Sequence, residues 1–410
     1  MIEELKKGET LLAKGPTRVN LLKGKLEIFG KIIDASSKES FSSLDNMEEE
    51  NALIIPSAKQ YPLYCLEDSE LEIYTNNKEE NLEIIEDNSI PDDWIKIKDK
   101  ILSQLDKGKK KPLKIMVLGL SYGKTTLIKY LANNFIREGY EGAYLDSDLG
   151  QQLIYVPCTI NVGKIKNPII TGEDIETEFT RFIGSTFPKG NLKFIISHLA
   201  DNLVKDFNQK YEDADFCLID TDGWIKKEPG ILYKSFFIKT INPDILIVFE
   251  DEEVEELETI EDKVKSEIDG KIMHIKGKNE FYYEKNKNER RFLRQSQFSR
   301  AFEEFRKITI PLGEIEFIKY DYDEEENEIV EREIEIDNLI ELPYHYVIIA
   351  LLDEDSKIIE IGLLFSVNLE KEYVLIFSDL TYKEQLKVDK ILLGSLRLST
   401  KGNHQGYLYL

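Results

Sequence analysis

The segment "KIMVLGLSYGKTTLIKYLANNF", from Lys114, joins an apolar strand, a short glycine-bearing loop, a Gly-Lys-Thr and an amphipathic helix. Such a helix start binds phosphate. Its first backbone N–H groups are unpaired and lie at the positive end of the helix dipole, while the lysine adds a mobile cation and the threonine a hydroxyl for Mg²⁺. On this reading Gly119, Ser121, Tyr122, Gly123, Lys124, Thr125 and Thr126 hold a nucleotide, with Thr125 as a metal ligand and Lys124 as a solvent-facing phosphate contact. The loop is one residue short, because the usual pattern has a glycine five positions before Gly-Lys. Here that position is Leu118, and the glycine is Gly119. One N–H fewer in the anion-binding nest predicts altered loop geometry and weaker affinity at a site whose Gly-Lys-Thr centre is intact.

Two further segments place carboxylates at strand ends, where ligands gather in open α/β sheets. "YLDSDLGQQ" sets Asp146 and Asp148 on the same side of an extended chain, with Asp146 suited to a metal. "FCLIDTDGWIKKEPG" closes an apolar strand with Asp220, suited to holding Mg²⁺ through water, followed by Thr221, Asp222, Gly223 and Trp224. A polar turn is the plain alternative for the first. Asp220 and Gly223 also match a D-x-x-G pattern used by GTPases, but no N-K-x-D guanine signature follows. "KNKNERRFLRQSQFSRAFEEF" is a basic helical island in which Arg290, Arg291 and Arg294 lie within about one turn. Guanidinium groups suit developing phosphoryl charge or an RNA phosphate, whereas the bland reading is a solvated helix face.

The elements that must position these groups fall into three blocks. Residues 1–92 read as short strands broken by turns, a β-sandwich. Residues 93–307 begin with a helix near Trp94–Asp106 and the basic "KGKKKP", then alternate apolar strands with amphipathic helices, which predicts an α/β P-loop domain on a parallel sheet covered on both faces. Residues 308–410 return to a β pattern and predict a small β-rich domain. The net charge is −24, which argues against wrapping nucleic acid but leaves room for a local basic channel. The acidic runs from Asp251 and Asp321 read as solvated loops or helix faces. Three dispersed cysteines and four histidines give no zinc spacing. No apolar run reaches the roughly 20 residues that span a bilayer, so the expectation is a cytoplasmic protein without a membrane partner.

Taken together, these segments resemble the polynucleotide 5′-hydroxyl kinases, a family that includes the kinase subunit of pre-mRNA cleavage factor II, nucleolar rRNA-processing kinases and archaeal relatives. The likeness extends over "GETLLAKGPTRVNLLKGKLEIFG", the phosphate loop, "DSDLGQ", "FIGSTFPKGN", "TDGW", the arginine segment and the terminal "ALLDEDSKIIEIGLLFSV" and "ILLGSLRLS". It implies transfer of the ATP γ-phosphate, with Mg²⁺, to the 5′-hydroxyl of RNA or DNA, within RNA processing or repair and with RNA-processing protein partners. By position, Asp148 matches the family's general base, and Lys124 and Thr125 its phosphate and metal contacts. Gln151, Thr221, Gly223, Trp224 and Arg291 fall on the substrate side, with Trp224 stacking on a terminal base, and Arg290 and Arg294 on the lid. The family commonly keeps one more loop residue, and many members have a proline where this chain has Leu120. Two rival readings are a noncatalytic ATP-binding scaffold of an RNA-processing complex and an NTPase switch.

Overall fold

Alternation of apolar and polar residues gives the first strands one dry face each: in Thr17–Lys23, Val19 and Leu21 are buried while Arg18 and Asn20 are only half-buried. The computed structural model describes residues 1–408 except 37–51, 109–110, 121–122, 252, 269, 277–278 and 314. Ser121, Tyr122 and part of the "KGKKKP" segment therefore lie outside the described residues. A four-stranded antiparallel sheet runs in the order Ile2–Leu5, Ser69–Thr75, Thr17–Lys23, Ala52–Ile55, and a five-stranded one in the order Lys31–Asp34, Lys25–Ile28, Gln60–Cys65, Thr10–Lys14, Leu82–Ile85. Val19, Leu71 and Ile73 of the first meet Leu11, Leu26 and Leu63 of the second in one core, so the two sheets form the expected sandwich.

The central sheet has seven strands, in the order Glu176–Phe182, Thr159–Ile165, Gly142–Asp146, Phe216–Asp220, Leu113–Leu118, Ile245–Glu250, Lys271–Lys276. The last five are parallel, as expected. The first two pair antiparallel, so the sheet is mixed. Glu176–Phe182 was hard to foresee because, at the sheet edge, it is half-buried along most of its length and carries none of the continuous apolar character of an inner strand. Helix Lys124–Arg137 packs Leu127, Leu131 and Phe135 on one face of the sheet, beside Trp94, Ile97 and Ile101 of helix Asp92–Leu105. Burial of those three side chains contributes roughly 5–9 kcal/mol, well above what a helix of that length gains alone. Packing on the sheet thus aims the amino end of the helix at the strand ends. Helices Leu192–Lys210, Lys227–Ile241 and Glu255–Val264 cover the other face. Glu255–Val264 buries Leu257, Ile260 and Val264 and turns most of its acids outward, the solvated helix face expected of the Asp251 run.

The C-terminal sheet runs Arg306–Pro311, Tyr373–Ser378, Ile358–Asn368, Val347–Leu352, Lys390–Leu398, Glu316–Asp323, Glu328–Glu333, and His404–Tyr407 pairs with Lys390–Leu398. Its first strand starts just before residue 308. Helix Lys287–Ala301, which carries the predicted arginines, packs Phe298 against this sheet together with Phe302 just beyond its end. Among the described residues no helix is long and apolar enough to cross a membrane.

The P-loop helix is also stitched to the sandwich. Asn133, fully buried, donates from Nδ2 to the carbonyls of Phe29 and Ile169, each at 2.8 Å, and accepts from Ile169 N at 2.6 Å. One turn earlier Lys129 donates to the Ile170 carbonyl at 2.6 Å, with its ammonium 5.5 Å from the Phe29 ring and 5.8 Å from the Tyr61 ring. Burial, then the nearby Lys59 and Lys285, push the Lys129 pKa down to about 7, opposed by Asp174.

This seam predicts a pH-dependent stability. Below about 7 the folded protein buries a charged ammonium and bears the full cost; between there and the ordinary 10.5 the unfolded chain holds a proton that the folded one lacks, so stability rises with pH. Lys129→Met is expected to stabilise the protein below pH 7, with a gain that shrinks toward zero near the ordinary lysine range. Melting curves of both proteins at about pH 6 and about pH 10 measure this. A gain of the same size at both would contradict it.

Candidate active site

Gly119 ends the central strand against Phe249, so close that a Cβ there would lie 2.8 Å from the Phe249 Cβ. Gly123 caps the following helix with φ of +94°, the left-handed region that favours glycine, beside Tyr282 and Trp94. Lys124, the first helical residue, is 7% exposed, and its Nζ donates to the Leu120 carbonyl at 2.7 Å. The expectation of a solvent-facing lysine therefore fails: the side chain lies back across its own loop. Burial lowers the Lys124 pKa, opposed by Asp220 and Asp148. Thr126, one residue past the predicted metal ligand, is half-buried.

Register sets Asp220 opposite Asp146 on one side and Val117 on the other, so three strand ends meet beneath the loop. Asp220 is 2% exposed and accepts at Oδ2 from Thr125 Oγ1 at 2.6 Å and from Tyr144 OH at 3.1 Å. Its Oδ1 is buried without a hydrogen-bond partner. Burial pushes this carboxyl above the ordinary range, opposed by Lys124 and Thr125. A hydroxyl beside a carboxylate with one unmet oxygen fits a hydrated Mg²⁺, which keeps several waters and takes few protein ligands. Among the described residues no group of three or more His, Cys, Asp or Glu side chains converges to hold a metal alone. Remaining ligands would come from phosphate and water.

Asp146 is engaged differently. Its Oδ2 accepts from Leu153 N at 2.6 Å and its Oδ1 from Asp148 N at 3.2 Å, so both oxygens shape the loop. Burial, then Asp220, raise its pKa well above the usual range. These contacts suit a structural role better than the predicted metal contact. Asp148, half-buried, uses Oδ1 to accept from Gly150 N at 2.9 Å and Gln151 N at 3.0 Å, which leaves Oδ2 outside both bonds.

The segment after Asp220 is held from below. Thr221 is buried and donates to the Val117 carbonyl at 2.9 Å, so its hydroxyl ties neighbouring strands together instead of facing a substrate. Asp222 accepts from Trp224 N at 2.7 Å and from Lys234 Nζ at 2.8 Å, spanning the half-buried Gly223. Lys234 is 1% exposed. Sequence reasoning missed it, although a single cation inside the apolar run "GILYKSFFI" was a usable signal, since a buried lysine requires a partner.

The arginine helix begins with a reciprocal cap between Asn286 and Glu289. Gln151 Nε2 donates to the Arg290 carbonyl at 3.2 Å, and Gln297 Nε2 to the Gln152 carbonyl at 2.6 Å, which docks the helix on the Asp148 loop. A Cβ on Gly150 would meet Arg294 Nη1 at 3.2 Å, the Thr186 carbonyl at 3.4 Å and Asp148 Oδ1 at 3.7 Å. Arg294 thus reaches the Asp148 loop. Arg290 is half-buried, while Arg291 is exposed. Burial, with Arg294 and Arg291 nearby, lowers the His404 pKa.

This arrangement has known relatives. A family model described as the mRNA cleavage and polyadenylation factor CLP1 P-loop matches residues 120–304. The chain is 30% identical over 237 residues to a polyribonucleotide 5′-hydroxyl-kinase of Pyrococcus horikoshii, covering 56% of this chain and 59% of that one. For the corresponding protein of Pyrococcus furiosus the identity is 32%, with coverage of 54% and 62%. The match therefore spans about three fifths of the length of either Pyrococcus protein. For that of Methanocaldococcus jannaschii the identity is 26% over 344 residues, covering 74% of this chain and 91% of the other. A solved structure of Clp1p with Pcf11p covers 97% of this chain and 98% of its own, with a TM-score of 0.72 at 15% identity, so the fold is shared from end to end. Residues 120–304 thus match the Clp1 P-loop model, the chain is similar to archaeal proteins named polyribonucleotide 5′-hydroxyl-kinases, and its fold is that of Clp1p.

Proposed function

We propose that the protein phosphorylates the 5′-hydroxyl end of RNA, and of DNA as a second substrate, at the expense of ATP. The observation that carries this reading is the meeting of Asp148 and Arg294 at Gly150, beside the Lys124, Thr125 and Asp220 cluster. A sugar hydroxyl is a poor nucleophile, and Asp148 orients it and accepts its proton through the oxygen that its loop bonds leave over. The 5′-oxygen then forms a bond to the γ-phosphorus as the bond to the β-phosphate oxygen breaks, releasing ADP. Lys124 swings from the Leu120 carbonyl to the phosphates, and Arg294 and Arg290 balance the charge that spreads over the moving phosphoryl group. When bound, Mg²⁺ at Thr125 and, through water, at Asp220 supplies further positive charge to the phosphates. The names of the archaeal relatives support this substrate class, and the description of the matching family model, an mRNA cleavage and polyadenylation factor, supports a place in an RNA-processing assembly.

A second reading, a noncatalytic ATP-binding scaffold, draws on the shortened loop and on the lysine turned back to Leu120. Asp148→Asn separates the two. For a kinase it is expected to retain ATP binding in calorimetry and to lose transfer from γ-labelled ATP to a 5′-hydroxyl RNA by about 10²–10⁴-fold. For a scaffold, wild type and variant bind ATP alike and neither labels RNA.

With a net charge of −24, the strand is expected to be held at its end and not along its length. Two or three neutralised phosphates give a slope near −1.4 to −2.1 in log affinity against log salt, at about −0.7 per contact on single strands. Titration of short and long 5′-hydroxyl oligomers at several salt concentrations should yield that shallow slope at both lengths. A slope that steepens with length would contradict end recognition.

A further inference from the structure

After strand Lys390–Leu398 the chain turns back onto the arginine helix. Gly402, in that turn, has φ of +74° and sits so close to the helix that a Cβ there would lie 2.6 Å from Phe298 Cβ and 3.0 Å from the Gln295 carbonyl oxygen. Arg291, Arg294, Gln295 and Phe298 recur at i, i+3, i+4 and i+7 and share one face of the helix. The turn therefore delivers the strand His404–Tyr407 to the face that carries both arginines. The far end of that strand is tied to the Asp148 loop. Tyr407 OH and Thr186 Oγ1, in the segment that carries Phe187, share a hydrogen bond of 2.9 Å, and the Thr186 carbonyl borders Gly150, where Asp148 and Arg294 meet.

His404, exposed, stands between these two supports. Its ring meets Tyr407 edge-on, with centroids 5.0 Å apart and planes at 68°, and its Nδ1 accepts from Gly406 N at 3.2 Å. A neutral imidazole that accepts at Nδ1 carries its proton on Nε2, so the ring presents a donor on its other side. Partial burial, then Arg294 and Arg291, lower the His404 pKa from the ordinary 6.5, which keeps this neutral form in place at about pH 7. Among the described residues neither Arg291 nor Arg294 has a carboxylate partner. In a chain of net charge −24, such a gathering of donors without an acid marks a place for an anion.

Arg294 faces the reacting phosphoryl group, and Arg291 lies three residues before it, roughly 4.5 Å back along the helix axis. We propose that His404, with Arg291, holds the phosphate on the 3′ side of the first nucleoside, so that the C-terminal hairpin sets the distance of one sugar from the 5′-oxygen at Asp148. The inference rests on the 5′-hydroxyl kinase reading and adds to it a substrate contact from outside the P-loop domain. His404 Nε2 donates to one nonbridging oxygen and the Arg291 guanidinium meets the other, an arrangement that reads charge and spacing and is indifferent to the base. A 5′-hydroxyl acceptor without charge at this first linkage is the poorer substrate.

The experiment compares three 5′-hydroxyl oligonucleotides of one sequence: one with phosphate throughout, one with an uncharged methylphosphonate at the first linkage, and one with it at the fourth. For wild type, kcat/KM is expected to fall by about 10–100-fold for the first-linkage substitution, the worth of hydrogen bonds to a charged group, and to change little for the fourth. His404→Phe, which keeps a ring against Tyr407 and loses the donor, is expected to reduce that penalty, and His404→Phe with Arg291→Gln to bring it to about one, with the KM for ATP unchanged. His404→Gln, which restores an amide donor, is expected to keep most of it. A merely structural role would lower kcat/KM for all three oligonucleotides alike and leave their ratios as in wild type. That result, an equal penalty at the fourth linkage, or a rise in the KM for ATP that matches the loss for the oligonucleotide would overturn the assignment. If wild type transfers no label to any of the three, the kinase reading fails, and fluorescence anisotropy of the same oligonucleotides labelled at the 3′ end, wild type against the double variant, still decides for or against the phosphate site.

Discussion

A carboxylate carried to the end of a buried strand sets the terms for the rest of this protein. Asp220 lies under the phosphate loop with one oxygen bound by Thr125 and Tyr144 and the other unmet. A charge without water needs compensation, and the groups that supply it are Lys124 and the Thr125 hydroxyl. Both stand at the start of a helix whose position is fixed by its apolar stripe on the sheet. The site is therefore a packing problem first. Two layers of helix on a twisted sheet bring a cation, a hydroxyl and an acid to one point, where water is scarce and electrostatic interactions are strong.

Around that point the three parts of the chain have separate tasks. The sandwich holds the back of the P-loop helix through Asn133 and Lys129. The C-terminal sheet holds the arginine helix through Phe298 and holds the Phe187 segment through Tyr407, Ser395 and Leu396. Side chains that the chemistry requires at one place thus come from helices and loops whose supports lie in different sheets. Such an arrangement suits a reaction in which the protein contributes position and charge more than covalent chemistry.

Much of this was legible in the sequence because its signals are local. The apolar run Ile115–Leu118 ahead of Gly-Lys-Thr, with the i, i+3, i+4 stripe that follows, specifies strand, loop and helix within one stretch of chain. Asp146 and Asp220 were equally readable, since they end apolar strands in a pattern that alternates with helices, and Asp148 follows two residues after the first. Other features depend on pairings remote in sequence. The Thr221 hydroxyl is taken by Val117, the arginine helix is held by a sheet formed after it, and Phe187 is a lone aromatic until Trp224 is folded against it. The two antiparallel strands escaped notice because the outer one is half-exposed and polar. Lys124 misled for a different reason: its motif tells what the side chain can bind, not that its loop offers a carbonyl to bind first.

The central claim is geometric, that a 5′-hydroxyl and a nucleotide meet between Asp148 and Lys124. The measurement that tests it most directly is a crystal structure with a nonhydrolysable ATP analogue and a short 5′-hydroxyl RNA bound together. The account predicts the 5′-oxygen within hydrogen-bonding distance of the free Asp148 oxygen and in line with the γ-phosphorus, with the Lys124 ammonium moved from the Leu120 carbonyl to the phosphates. An RNA end bound away from Asp148, or a nucleotide seated while Lys124 remains on Leu120, would contradict it.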